Sequence, residues 1–324
     1  MANPVIAEVL RGTIVESRHR GSYAVSDSQG KLVLSSGDMT LPIYPRSAFK
    51  AFQCVPLIES GAADRFGLTD EEIALCCASH QGEPVHVNVA RSILAKAGIA
   101  EDALECGTHA PLDSASKLDL ARRNELPHPI HNCCSGKHAG MLALAVHLGV
   151  DPKNYVSTHH AVQRHVAASI EQHCGVTTDT APLGVDGCSV PSWAMPLPAI
   201  AHGFSKLALP ANGPGQRIIR AVRAHPYMIA GNDNFDTRIM QTVPRLFLKC
   251  GAEGVYCGCI PHAGLGFALK CDDGAGRAVE VAIAGILLKL DCWTAEERAS
   301  ITTFSILEMY NWRKINVGRI RATV

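Results

Sequence analysis

The chain lacks an excess of charge of either sign. Thirty Lys and Arg stand against thirty Asp and Glu, and the formal net charge is zero. No electrostatic grip on nucleic acid or on a membrane surface is expected. Long apolar runs are also missing. The longest, Val281 to Leu288, is too short to span a bilayer. The first residues, Met1 to Glu8, show no basic segment followed by an apolar one, so the expectation is a cytoplasmic chain without a secretory signal. There is no second Cys-x-x-Cys half, which excludes a zinc finger, and no complete glycine-rich phosphate loop. Internal repeats and low-complexity tracts are absent. Aromatic residues are few, at 5%.

What is present is an ordinary globular balance, 47% hydrophobic and 19% charged over 324 residues. Cysteine is plentiful. Thirteen in a chain expected to be cytoplasmic point to reduced thiols, buried or metal-bound, and the odd count fits full pairing poorly.

Pattern divides the chain into strands at both ends and helices between. Val5 to Val9, Thr13 to Glu16, Tyr23 to Ser26 and Leu32 to Leu34 read as strands, with turns at Arg11-Gly12, Arg20-Gly21 and Asp27 to Gly30. Helices are predicted over 71–77, behind the capping box Thr69 to Glu72, and over 84–97, 135–148 and 158–174. Shorter ones are predicted over 198–207, 215–223 and 234–246. Gly254 to Ile260 and Gly264 to Leu269 return to strand. Ala278 to Leu290 reads as strand passing into helix, a last helix is capped by Thr294, and Ile315 to Val324 reads as the final strand. The expectation is an α+β fold in one domain, 1–324. An antiparallel sheet comes from about 1–40 and 250–324, with a helical region inserted at about 41–249.

Ser47-Ala48-Phe49-Lys50 follows Pro42 to Arg46 at a predicted helix start. Serine and lysine three apart share a helix face, and a neutral lysine can take the serine proton without any histidine. The pattern is short, and two more copies occur. Ser28 to Lys31 falls in a turn, and Ser114 to Lys117 looks like a capped, solvated helix start. Four further segments could carry chemistry. Ser79 lies where one helix stops and small or polar residues cluster, which also suits a plain C-cap. In His131 to Gly140, Cys134 and Lys137 share a helix face at a helix start, where a thiolate could be a nucleophile or a metal ligand. Asp186-Gly187-Cys188 is a tight acidic turn with a thiol, either a further ligand or an Asx-turn. Lys249-Cys250-Gly251 is similar to the Lys-[Ser/Thr]-Gly element of penicillin-recognising enzymes. Cys257 and Cys259 share one strand face, which suits a core as well as a metal.

Taken in order, Tyr-Pro-Arg-Ser-Ala-Phe-Lys (44–50), Ala-Ser-His (78–80), Cys-Cys-Ser-Gly-Lys-His (133–138), Val-Asp-Gly-Cys (185–188) and Lys-x-Gly-Ala-Glu-Gly-Val (249–255) resemble the rhizobial-type, class 3, L-asparaginases over nearly the whole chain. The length is similar to the thermostable, constitutive form. The resemblance implies a fold like that of serine β-lactamases and glutaminases, a homodimer, and hydrolysis of L-asparagine through an acyl-enzyme. It implies two Ser-Lys pairs, Ser47 with Lys50 and Ser79 with Lys249. It implies a zinc ion on Cys134, Lys137 and Cys188 that positions substrate, with Arg46, His138 and Asp186 as polar residues beside it. The chain departs from the β-lactamase pattern in having no Ser-Asp-Asn element and a cysteine at position 250, which speaks against β-lactam hydrolysis. A glutaminase on the same scaffold, and a zinc-binding or redox-sensing thiol protein without turnover, are the competing expectations. With Lys50 desolvated and close to Lys249, a lowered pKa is expected for it.

Overall fold

The computed structural model describes residues 2–209 and 211–324. The chain forms two compact units. One comprises Met1–Ala48, Met195–Lys206 and Arg238–Val324, and the other Phe49–Ala194 and Leu207–Thr237.

The first unit is built on a sheet of β1 (Val5–Arg11), β2 (Ile14–Asp27), β3 (Leu32–Ser36), β4 (Phe247–Gly251), β5 (Val255–Ile260), β6 (Leu265–Cys271), β7 (Ile306–Tyr310) and β8 (Asn316–Ala322). Its order is β7-β8-β1-β2-β6-β5-β4, with β3 also on β2. Both chain ends therefore meet in one antiparallel sheet, as the pattern predicted. The turn predicted at Arg20-Gly21 is not there. β2 runs through it, pairing with β1 as far as Arg20 opposite Val5, and with β6 from Gly21 opposite Cys271. Glycine sits at that change of partner because a Cβ would lie 2.3 Å from the Lys270 carbonyl oxygen and 2.7 Å from Ile6 Cδ1. Gly276–Leu288 is helical throughout, with Val281, Ile283 and Leu287 among its buried residues. An apolar run of this kind fits strand or helix equally, and only its length favours helix. β7 escaped the sequence reading because Ile306, Leu307 and Tyr310 are exposed and carry no inside-outside alternation.

The second unit is helical. Its main elements are α1 (Lys50–Glu59), α2 (Asp70–Cys76), α3 (Pro84–Ala97), α4 (Ser135–Leu148) and α5 (Ala161–Cys174). Thr69 and Glu72 make the reciprocal capping box that opens α2. α5 starts three residues later than predicted, because His160 caps it by accepting the Val162 amide. Helix α4 is the hub: every residue from Ser135 to Ala145 is buried. Gly136 and Gly140 make this possible. A Cβ on the first would stand 2.5 Å from the Leu75 carbonyl oxygen, and one on the second 2.8 Å from Cys76 Sγ. The start of α4 therefore lies directly against the end of α2.

Gly21→Ala tests the strand crossover. Overpacking against backbone costs about 1–3 kcal/mol. We expect the urea midpoint to fall at unchanged slope; an unaltered midpoint would show that the β2–β6 spacing is not tight.

Candidate active site

Within the helical unit, the packing of α4 on α2 gathers five of the predicted residues. Lys50, the first residue of α1, is 1% exposed. Its Nζ donates to the Ala78 carbonyl, to Ser79 Oγ at 2.9 Å and to Cys134 Sγ at 3.2 Å. Three acceptors for three N–H groups is the full complement of an ammonium. Lys137, buried one turn into α4, donates to Cys188 Sγ at 2.9 Å. Cys134 N–H is held by Asn132 Oδ1 at 2.8 Å, and Asn132 Nδ2 in turn donates to the Cys106 carbonyl at 2.9 Å.

The charges follow from this arrangement. Hydrogen bonds from the Cys133 and Cys188 thiols hold Cys134 well below the usual thiol range, against its burial, and Lys50 and Lys137 add to the effect. The same bonds push Cys133 and Cys188 upward, which favours the thiolate at Cys134. For Lys50, burial lowers the pKa, but Cys134 and the neighbouring sulfurs outweigh it, and the net direction is up. The lowered pKa expected for Lys50 is therefore reversed by the thiolate beside it.

Two histidines are fixed in the neutral form. Burial pulls His138 well below its ordinary value, and Lys137 adds to this. Tyr155 Oη takes the Glu105 amide at 2.9 Å and lies 2.6 Å from His138 Nδ1, while His138 Nε2 is buried with no hydrogen-bond partner. His80 is buried, accepts the Gly82 amide on Nδ1 at 3.1 Å and meets Ser135 Oγ through Nε2 at 2.9 Å. Burial, then His86 and Lys50, hold His80 well below its ordinary value. Asp186 lies in the turn that ends with Ser189 at φ 75°, and its carboxylate accepts the Gly187 amide at 2.8 Å. Two sulfurs and, when neutral, the Lys137 amine are donors whose chemistry fits zinc.

The sheet unit holds Arg46, Ser47 and Lys249. Arg46 has φ +53°, a left-handed conformation that costs a non-glycine residue about 1–2 kcal/mol. Ser47 follows it in the 3-10 turn Arg46–Phe49 and is half-buried. This turn packs on the end of β4, where a Cβ on Gly251 would lie 2.4 Å from the Pro45 carbonyl oxygen. Lys249 is 2% exposed, and its Nζ meets the carbonyl and the sulfur of Cys250 at 3.1 and 3.0 Å. Cys257 and Cys259 are fully buried core residues of β5.

Of the two expected serine–lysine pairs, each has one member in each unit. The serine–lysine hydrogen bond within the helical unit joins Lys50 to Ser79. Asn132 and Tyr155 were missed by the sequence reading. Asn132 lies inside a quoted segment, two residues before Cys134, where an Asx cap was the available signal. Tyr155 gave no signal.

The L-asparaginase II family model matches residues 7–322. The chain is a member of the L-asparaginase II family. Among solved structures it is similar to Mglu in its native form, at 14% identity and TM-score 0.37, over 85% of this chain and 66% of that one. It thus spans just under two thirds of that protein. Mglu in its tris and glutamate form gives 15% and 0.34, over 86% and 61%. A β-lactamase from Mycobacterium bovis gives 10% and 0.36, over 88% and 94%. No curated protein matches the chain.

His80 and His86, stacked at 5.2 Å, are both depressed mainly by burial. The unfolded chain binds protons at these rings from about pH 6.5 downward while the folded chain does not, so stability is complete above that pH and falls as acid is added. The expected loss is up to about 1.4 kcal/mol per pH unit for each ring. His86→Gln should flatten the decline in unfolding midpoint between about pH 6.5 and 5; an unchanged slope would mean the rings titrate normally.

Proposed function

We propose that the protein hydrolyses the side-chain amide of L-asparagine to L-aspartate and ammonia through an ester on a serine. Family membership supports the substrate. The observation that carries the serine–lysine reading is the buried Lys50 amine within 2.9 Å of Ser79 Oγ. An ammonium beside a hydroxyl favours its alkoxide form, and the same lysine follows Ser47 by three residues.

In this reading Ser47 attacks the amide carbon, and Lys50, having passed its own proton to the Cys134 sulfur 3.2 Å away, receives the hydroxyl proton. Backbone amides near Ser47 receive the negative charge that develops on the amide oxygen. The leaving nitrogen takes a proton and departs as ammonia. Water then adds to the β-aspartyl ester, its proton passing to the Ser79 and Lys249 relay, and Ser47 is restored. The left-handed Arg46 supports Ser47 in this role, because strain at a nucleophile's turn is a recurrent way of presenting it. Arg46, His138 and Asp186 bind the substrate.

Cys134, Lys137 and Cys188 would hold zinc, with Lys137 neutral and protons released on binding. When bound, the ion supplies a Lewis-acid contact for the α-amino and α-carboxylate groups of the substrate. The cytoplasmic homodimer rests on the family resemblance alone.

Ser47→Ala should cut ammonia release from L-asparagine by about a thousandfold or more, and full activity in that variant removes Ser47 as nucleophile. Faster release from glutamine than from asparagine would make the enzyme a glutaminase. Cys134→Ala, or exhaustive chelation, should raise KM more than it lowers kcat. A collapse of kcat at constant KM would assign the ion to the chemical step instead.

A further inference from the structure

The sheet unit carries a second group of metal-ligand side chains, which the amide chemistry does not use. We propose that His19, Cys271 and Asp273 bind a thiophilic divalent cation, with zinc the best match.

Three observations carry this. The first is geometry. His19 Nδ1 is 2.6 Å from Asp273 Oδ2, Cys271 Sγ donates to Asp273 Oδ1 at 2.9 Å, and all three ligand atoms lie within 4.8 Å of one another. Among the described residues this is the only such trio of His, Cys, Asp or Glu. Bond lengths of about 2.3 Å to sulfur and about 2.0–2.2 Å to nitrogen and oxygen set the ligand atoms of a tetrahedral zinc about 3.4–3.6 Å apart, so the corner opens by roughly 0.7–0.8 Å to admit the ion.

The second is placement. The His19 side chain is 7% exposed and Cys271 is fully buried, while the Asp273 side chain is 49% exposed. Two ligands are therefore anchored in the sheet and the third stands at the solvent edge, where water can complete the shell. His19 Nε2 is buried and meets no hydrogen-bond partner. Asp273 Oδ2 accepts the Nδ1 proton in the metal-free corner, and a metal on Nδ1 leaves the ring proton on Nε2.

The third is the frame. The Asp272 amide donates to the Arg20 carbonyl at 2.8 Å, and the Cys271 amide to the Gly254 carbonyl at 2.8 Å. Gly254 and Gly274 hold the adjoining turns at φ +67° and +74°, and a Cβ on Gly254 would stand 2.9 Å from Cys271 Cβ. The ligands thus come from β2, from the last residue of β6 and from the turn that leads into the helix Gly276–Leu288, all held close before any ion arrives.

The donor set selects the ion. One imidazole, one thiol and one carboxylate suit zinc and its heavier congener cadmium, whereas calcium and magnesium ask for oxygen ligands. On binding, the cation replaces the Cys271 proton: a metal–sulfur bond forms, the S–H bond breaks, and the proton leaves by way of Asp273 to solvent. The ion is a removable cross-link between strand and turn. A ligand that binds only the folded state raises stability by mass action.

The test uses full-length, chelator-dialysed protein with cadmium as the probe, in a Cys134→Ala background that disables the other thiol site. Equilibrium dialysis gives the stoichiometry, thiolate-to-cadmium absorbance reports a sulfur ligand, and the thermal midpoint reports linkage. The background protein should bind one ion with a thiolate band and a higher midpoint. Adding Cys271→Ser or Asp273→Asn should weaken that binding about ten- to a hundredfold or more. Asp273 is half-exposed, so its variant keeps the question decidable if the buried substitution fails to fold. No ion in the background protein overturns the proposal, as does binding that survives both changes. Asp273→Asn in the otherwise native chain should leave ammonia release from asparagine unchanged, so the amidohydrolase reading and this one fail separately.

Discussion

The helical unit depends on a buried ammonium against a buried thiolate. An isolated ion in a protein interior costs several kcal/mol, recovered only where geometry and hydrogen bonding are nearly complete. Lys50 meets that condition through Ala78, Ser79 and Cys134, which belong to the end of α2 and the start of α4. Its own position is the first residue of α1. Three helix termini must therefore converge for the charge to be tolerated. Any arrangement that separates them strands an ion, so the electrostatic requirement and the packing requirement select the same structure. Hydrogen bonds from Cys133 and Cys188 favour the thiolate at Cys134, beside Lys50.

Close approach makes this convergence possible, and small residues make the approach possible. Gly136 and Gly140 bring α4 onto Leu75 and Cys76, so the residues following α2 arrive beside Cys134. Gly251 does the same in the sheet unit, where β4 lies under the turn that carries Ser47. In both places the reactive residues sit a few positions from a contact that no side chain could enter. Close-contact glycine and charged side chain are two aspects of one requirement: the backbone must come near enough for its own carbonyls and amides to solvate what water cannot reach.

Legibility in the sequence followed the range of the signals. Local ones read well. The capping box at Thr69, the helices Pro84–Ala97 and Ser135–Leu148, and strands at both chain ends were all recoverable from periodicity and punctuation. Signals that depend on a distant partner did not read. Arg20-Gly21 has the composition of a turn, and only the presence of Lys270 and Ile6 on either side makes it a strand crossing. The exposed edge strand Ile306–Tyr310 has no buried face to write an alternation. In the candidate site, residue types came through from motif and resemblance, whereas charge state did not. Desolvation and an expected neighbour in Lys249 argued for a neutral Lys50; the sulfur that reverses this lies eighty-four positions away.

The cysteines show why composition could not settle that point. Cys257 and Cys259 are fully buried and so is Cys271, yet the first two are core residues of one strand while the third faces an imidazole and a carboxylate. A thiol is small and apolar enough to be a core residue anywhere and acidic enough to become an ion when a cation is near. Burial does not distinguish the two roles; the partner does. Cys134 is turned into a thiolate by thiol donors and two lysines, and Cys188 keeps its proton next to the same lysine because Cys134 holds the negative charge. Chemistry in this protein is thus assigned by what stands opposite each sulfur.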